Sequence, residues 1–377
     1  MYAPTQDLTL PSRGLISRHS TASALAGTHL EGVRDVLREM EKKQDPRDYE
    51  RTMDQLHVDF SEGHMQAFWL TPNGRAAETL GVTDTGASQL ASEVLPGHFF
   101  TGLKELARMD EQGAKLATFA WSKFARAHNS VPRMVRSVNR PVGGDVQRVI
   151  RSCHSVSYAP YSNLNFVEDL LESGGDYVNM PILDWRVGDR GMRLRFAGCE
   201  RSEIEVNKPT PMLEAWNSEV GLRKVVLRGG IWEWSCTNGM GHWDERVDFS
   251  WIHRGDMRRI QNGVKDAFQN LLTTAHGIVG VYEEALNISI DNAFEWLAQE
   301  LVAAKQPERI VKAAQAALGH PTTTPGGMLA SAVDAITLVA QDEKTLWEQA
   351  DVEKAASRIL SRGRGVALRN NGHIPVA

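Results

Sequence analysis

Apolar positions change their period several times along the chain, and each change predicts an element. Leu30, Val33, Leu37 and Met40 lie three and four apart, the period of one helix face. Thr28-His29-Leu30-Glu31 has the Ser/Thr-x-x-Glu form of a capping box that opens such a helix. After the charged connector QDPRDYE, Leu56, Val58 and Phe60 alternate with polar residues. An apolar run from Met65 to Leu70 follows across Ser61-Glu62-Gly63, so a β-hairpin is predicted. Between Thr83 and Asn129 the helical period returns, in Leu90 and Val94, then Leu103, Leu106 and Met109, then Leu116, Phe119 and Phe124, with a break at Pro96-Gly97. Arg133, Arg136 and Arg140 follow at helical or loop spacing between prolines. Val146 to Tyr158 reads as a strand and Phe166 to Leu171 as a short helix.

From Asp176 to Arg254, short apolar runs punctuated by glycine predict an antiparallel sheet: Arg186–Phe196, Arg223–Leu227, Ile231–Ser235 and Val247–Ile252. Beyond Gly255 the pattern is helical almost to the end. Met257, Ile260, Val264, Phe268, Leu271 and Ala275 form one stripe, so Phe268 and Leu271 belong to a buried face. Pro307 suits a helix start, and Gly319 with Pro321 a helix stop. The expected fold is therefore α+β, a small antiparallel sheet flanked by helices, with a long C-terminal helical region. Residues 1–20 are expected to be a flexible arm, 21–290 the α+β core, 291–362 the helical region with a TTTPGG linker at 322–327, and 363–377 a disordered tail.

Composition alters this picture little. The 377 residues are 42% hydrophobic and 24% charged, with a mean hydropathy of −0.34, ordinary values for a globular protein. No run approaches the roughly eighteen apolar residues of a membrane span. The N-terminus has no basic start followed by an apolar run, so no secretory signal is expected. Cys153, Cys199 and Cys236 are odd in number and far apart, which fits a reducing cytoplasm rather than a disulfide framework.

Charge changes the picture more. The net charge is −5, yet Lys123, Arg126, Arg133, Arg136, Arg140, Arg148 and Arg151 face only Asp145 between Ser122 and Pro160. Seven minus one gives +6 there, and −11 for the remainder. Guanidinium groups bind phosphates bidentately, and tyrosine rings stack on unpaired bases. Arg133, Arg136, Arg140, Arg148, Arg151, Tyr158 and Tyr161 are therefore candidate nucleic-acid contacts. The competing reading pairs these arginines with acids elsewhere on the fold or on a neighbouring subunit.

Other chemistry finds little support. No phosphate loop, GxGxxG, HExxH or GxSxG motif occurs. Cys236, His242 and His253 are zinc-ligand types without paired-ligand spacing, and Cys236 reads as a structural thiol. Asp244, Glu245, Asp248 and Asp256 are as normal on a solvated sheet edge as around a hard cation. No metal or cofactor is expected. Trp232, Trp234, Trp243 and Trp251 form a dense group, with Trp232 and Trp234 on one sheet face. They suit a core or subunit contact, or a base-stacking platform.

Three segments carry a family resemblance: VTDTGASQLASEVLPGHFF at 82–100, VQRVIRSCHSVSYAPYSN at 146–163, and AWNSEVGLRKVVLRGGIWEWSCTNGM at 215–240. In that order they resemble a phage/plasmid-like family of unknown function, over about residues 55 to 290. The third is the most specific, with Asn217-Ser218-Glu219-Val220-Gly221 leading to Cys236-Thr237-Asn238-Gly239. The second departs from the family pattern, because Cys153-His154-Ser155-Val156 lengthens the interval between serine and tyrosine. The resemblance implies a mobile-element setting and transfers no catalytic residue. The layout is also similar to RecT-type single-strand annealing proteins. The resulting expectation is a non-enzymatic, homo-oligomeric single-stranded DNA-binding protein that promotes annealing or recombination. A protein-interaction role for the Trp-rich sheet, and an enzyme with a carboxylate site near Asp244–Asp256, are the alternatives.

Overall fold

The computed structural model describes residues 29–61, 64–70, 76–127, 131–142, 145–175, 180–188, 190–199, 209–233, 240–318, 327–341, 343 and 346–375. The capping residue Thr28, the expected arm, Trp234, the Cys236 turn and residues 322–326 of the expected linker lie outside them. Helix α1 (Leu30–Gln44) buries Leu30, Val33 and Leu37, and its N-cap is His29, with no side-chain cap. The QDPRDYE connector contributes a strand, β1 (Arg47–Arg51). The expected hairpin is β2 (Leu56–Ser61) and β3 (His64–Leu70), and β4 (Ala76–Val82) extends it. Helices α2 (Asp84–Val94), α3 (Phe99–Met109) and α4 (Glu111–Ala127) occupy the helical window.

The basic stretch is a long antiparallel hairpin, β5 (Arg133–Val142) and β6 (Asp145–Ser155), rather than a helix or loop over Arg133–Arg140. These strands complete a mixed six-stranded sheet in the order β1-β5-β6-β4-β3-β2, with β4 parallel to β6. This sheet corrects the expectation of one small antiparallel sheet. One of its faces packs on α2, α3 and α4 through Val58, Phe60, Leu90, Trp121, Val135 and Ile150.

After α5 (Asn163–Gly174), the expected antiparallel region forms a second sheet. It contains β7 (Ile182–Gly188), β8 (Gly191–Ala197), β9 (Thr210–Asn217), β10 (Val225–Glu233) and β11 (Met240–Trp251), paired in order. The predicted single run Arg186–Phe196 is the β7–β8 hairpin. Alternation gives β8 two unlike faces. Met192, Leu194 and Phe196 join an apolar core with α1, α5 and α6 (Met257–Ala285), in which Phe268 and Leu271 are buried as expected. Arg193 and Arg195 point the other way.

Helices α7 (Ala293–Ala303), α8 (Glu308–Leu318), α9 (Leu329–Gln341) and α10 (Leu346–Arg369) build a helical core with the end of α6. The expected disordered tail is instead the last turns of α10 and a short strand, β13 (His373–Ile374), which lies parallel to β12 (Ser289–Ile290). Its order follows from Ile374, which is buried in that core. Among the described residues, no helix is long and apolar enough to cross a membrane.

Candidate nucleic-acid interface

The three resemblance segments, far apart in sequence, meet where the two sheets join. Gln89 of α2 bridges them: its Nε2 donates to the Val220 carbonyl at 2.7 Å, and its Oε1 accepts from the Cys153 backbone N–H at 2.9 Å. Asn217 donates to the Tyr161 carbonyl (2.8 Å) and to Asn163 Oδ1 (3.0 Å). Ser218 Oγ donates to the Arg190 carbonyl at 2.5 Å. Glu219 accepts from Arg151 at 2.5 Å and from the Asn163 backbone N–H, at the N-terminus of α5, at 2.6 Å. Gly221 has φ +64°, and a Cβ there would come within 2.9 Å of both the His154 and Tyr158 rings. The Asn-Ser-x-x-Gly block is thus a turn whose side chains fasten one sheet to the other.

The arginines singled out from the sequence serve this junction and its surroundings. Arg133 on β5 pairs with Glu93 of α2 (2.6 Å). Arg136 makes a two-pronged pair with Asp48 on β1 (2.7 and 2.9 Å). Arg148 on β6 reaches Asp45 (2.6 Å) and Ser137 (3.1 Å). Arg151 is buried against Glu219. Arg140 is half-buried on β5, opposite Gln147. Burial would raise the Glu219 carboxyl, but Arg151, the Asn163 N–H and Arg136 together hold it below the usual range. For Arg133, Arg136, Arg148 and Arg151 the counter-charge is internal, which is the competing reading of the basic stretch.

The two tyrosines are also engaged. Tyr161 is fully buried and donates to Asp169 at 2.6 Å, so no base reaches its ring. Tyr158 stacks on His154 (ring centroids 3.9 Å) and on His253 (5.3 Å), and its hydroxyl donates to the Ser218 carbonyl. Burial, Arg136 and His253 push the His154 imidazole down to about 4, and burial lowers His253, so both rings are neutral near pH 7. Burial and the nearby Glu93 push the Cys153 thiol up to about 12, an inert structural thiol.

A second set of charges lies on the polar face of the second sheet, beneath α10. Arg193 meets Asp184 at 2.5 Å, and Arg195 and Arg228 meet Glu214 at 2.7 and 2.5 Å. Glu353 of α10 closes the set by pairing with Arg195. Burial alone would raise Asp184 and Glu214, yet the arginines beside them hold both carboxyls low. Trp216 and Trp232 are buried here, with Arg193 over one ring and Arg195 over the other. Neither indole is open to a base or a partner protein. Asp256 is the N-cap of α6 and Asp248 is exposed, while the side chains of His242, Trp243, Asp244 and Glu245 lie outside the described set. Among the described residues no cluster of three or more metal-ligand side chains occurs.

Exposed cations without an ion-pair partner among the described residues gather elsewhere, at one end of the second sheet. Arg190 lies in the β7–β8 turn, Lys224 immediately before β10, and Arg254 just after β11, all exposed. Hydrogen bonds tie these segments together: Ser218 Oγ to the Arg190 carbonyl (2.5 Å), Tyr158 to Ser218 (3.1 Å), and Gly255 N–H to the Ser157 carbonyl (3.2 Å). Val156, Leu222 and Ile252 are exposed on the same segments, at 47, 44 and 61%. These cations escaped the sequence reading because they come one per loop. Only the pairing of the strands brings them to the same end of the sheet. No family model, curated protein or solved structure matches the chain.

Proposed function

We propose that the protein binds single-stranded DNA through this loop end, as a non-enzymatic, homo-oligomeric phage or plasmid protein that promotes annealing or recombination. The supporting observation is the juxtaposition of Arg190, Lys224 and Arg254, exposed and unpaired among the described residues, with the exposed apolar side chains Val156, Leu222 and Ile252. Cations hold phosphates, and the apolar side chains lie against unstacked bases. The resemblance to the phage/plasmid-like family supplies the mobile-element setting.

Fluorescence anisotropy with a labelled single-stranded oligonucleotide tests the proposal. The log of the affinity should fall with log salt by about 0.7 per phosphate contact, hence by roughly 2 for three cations. Lys224→Glu together with Arg254→Glu should abolish most of the binding. Retention of wild-type affinity by that variant would remove the proposed surface. Light scattering with and without DNA checks the homo-oligomer.

A further inference from the structure

Trp232 is closed off on the charged face of the second sheet, whereas Trp251, at the end of β11, is partly exposed. It borders an open groove of about 640 Å³ whose other wall is the first turns of α6. That volume lies within the roughly 300–1,000 Å³ of ordinary ligand sites, so a nucleobase with its sugar fits.

Helical period builds the α6 wall. Ile260, Val264, Ala267 and Phe268 turn one face of the helix to the core. Arg259, Asn262, Gly263 and Asp266, three and four apart, are left on the groove. Gly263 admits the indole, because a Cβ there would come within 2.6 Å of Trp251 Nε1 and 2.9 Å of Cε2. Trp251 also packs on the apolar core beneath α6. The chain beyond it is pinned twice. The Gly255 N–H donates to the Ser157 carbonyl (3.2 Å), and the Asp256 carboxylate accepts from the Arg258 backbone N–H (2.9 Å). The ring is therefore fixed before a ligand binds, which keeps the ordering cost of binding small.

Arg258 and Arg259 stand exposed at this groove, with no ion-pair partner among the described residues. Of the two carboxylates on its walls, Asp256 is engaged as the helix cap, and Asp266 lies about 10 Å along the helix from Arg259. An aromatic ring beside unpaired guanidinium groups is the combination that holds one unit of a single strand, the base on the ring and phosphates on the cations. Ile252 and Arg254 of the loop end follow Trp251 directly in the chain, so the groove continues that surface.

We propose that Trp251 stacks one base of the bound single strand, with Arg258 and Arg259 taking the flanking phosphates. The inference rests on the reading of the loop end as a single-strand interface and extends it onto α6.

The test compares the anisotropy of labelled oligo-dT with that of an abasic strand carrying the same number of phosphates. Wild type should bind oligo-dT more tightly by roughly tenfold or more, the effect of losing a stacked base. Trp251→Leu should close most of that gap, and Trp251→Phe, which keeps a ring, should retain most of it. Gly263→Ala, whose Cβ displaces the indole without removing a cation, should narrow it as well. Together with the three loop-end cations, the two α6 arginines give a wild-type salt slope of roughly 3.5. Arg258→Gln with Arg259→Gln should flatten it by about 1.4 with the gap intact. No gap in wild type, or one as wide in Trp251→Leu, would overturn the stacking site and leave the loop-end phosphate contacts standing. A wild-type slope near 2 would take the α6 arginines out of the interface. Loss of the gap in Trp251→Leu, while Lys224→Glu with Arg254→Glu binds like wild type, would keep the groove and remove the loop end. If wild type binds neither strand, both readings fall.

Discussion

The second sheet carries cations of two kinds, some on its strands and some in the segments that flank them. Under α10, Arg193, Arg195 and Arg228 face Asp184, Glu214 and Glu353, three charges against three, with almost no exposure. At the loop end, Arg190 is separated from Arg193 by only Gly191 and Met192, yet it stands in solvent with Lys224 and Arg254. Taking an ion out of water costs several kcal/mol, so the first group is tolerable only with every partner present. The second group has no such demand and remains available to a ligand. An arginine's role is decided by what the fold brings to it, and the arginines of the β5–β6 hairpin belong with the first kind.

The largest way to break this contrast is to remove one buried partner. Glu353→Ala leaves Arg195 and Arg193 without their acid from α10. Loss of one member of a buried pair costs about 3–5 kcal/mol, so the urea midpoint should fall steeply. A midpoint like that of wild type would mean that α10 does not close this face. Next in size is Gly221→Ala, which forces a Cβ into the His154 and Tyr158 rings at positive φ. The expected loss is about 1–3 kcal/mol, read in the same titration, and an unchanged midpoint would show that the junction turn relaxes freely.

How much of this was legible in the sequence depends on range. Local period placed α1, the β2–β3 hairpin, the three helices before the basic stretch and the stripe of α6, where Phe268 and Leu271 are indeed buried. The Met192-Arg193-Leu194-Arg195-Phe196 alternation could be read as a strand with one polar face. Such a face is ordinarily given to solvent. Its burial depends on Glu353, 158 positions away from Arg195, and no local pattern carries that information. The basic stretch misled for the same reason. Its acids, Asp45, Asp48, Glu93 and Glu219, lie outside the window that made it look unbalanced. The resemblance segments marked residues that meet at the junction, but Gln89, which links all three, drew no notice as a single amide.

Acid should weaken the junction more gently. The unfolded His154 takes up a proton near its ordinary value of 6.5, whereas the folded one refuses it until about 4. Its folded value is depressed, so the unfolded chain holds more protons between those limits. Stability should therefore fall as the pH drops through that window. His154→Phe should flatten the midpoint-against-pH curve there. A curve as steep as that of wild type would assign the acid sensitivity to other groups.

The smallest expected effect on stability gives the sharpest test of the comparison. Lys224→Glu with Arg254→Glu alters two exposed, unpaired side chains, so the unfolding midpoint should shift by no more than about 0.5 kcal/mol, while DNA affinity collapses. Arg136→Gln with Arg148→Gln should do the reverse. Those guanidinium groups are mostly covered, at 13 and 8% side-chain exposure, and their removal strands Asp48 and Asp45. The cost should be clear in the urea midpoint, and the salt slope of DNA binding should stay within experimental error of wild type. Each pair of substitutions removes two positive charges, but the glutamates also add two negative ones. A Lys224→Gln and Arg254→Gln control therefore keeps the comparison fair, and it should flatten the slope by about 1.4 at fixed stability. If the Arg136 and Arg148 variant instead flattens the slope while folding normally, the hairpin arginines reach phosphate after all. The division between paired and free cations would then no longer predict which of them bind DNA.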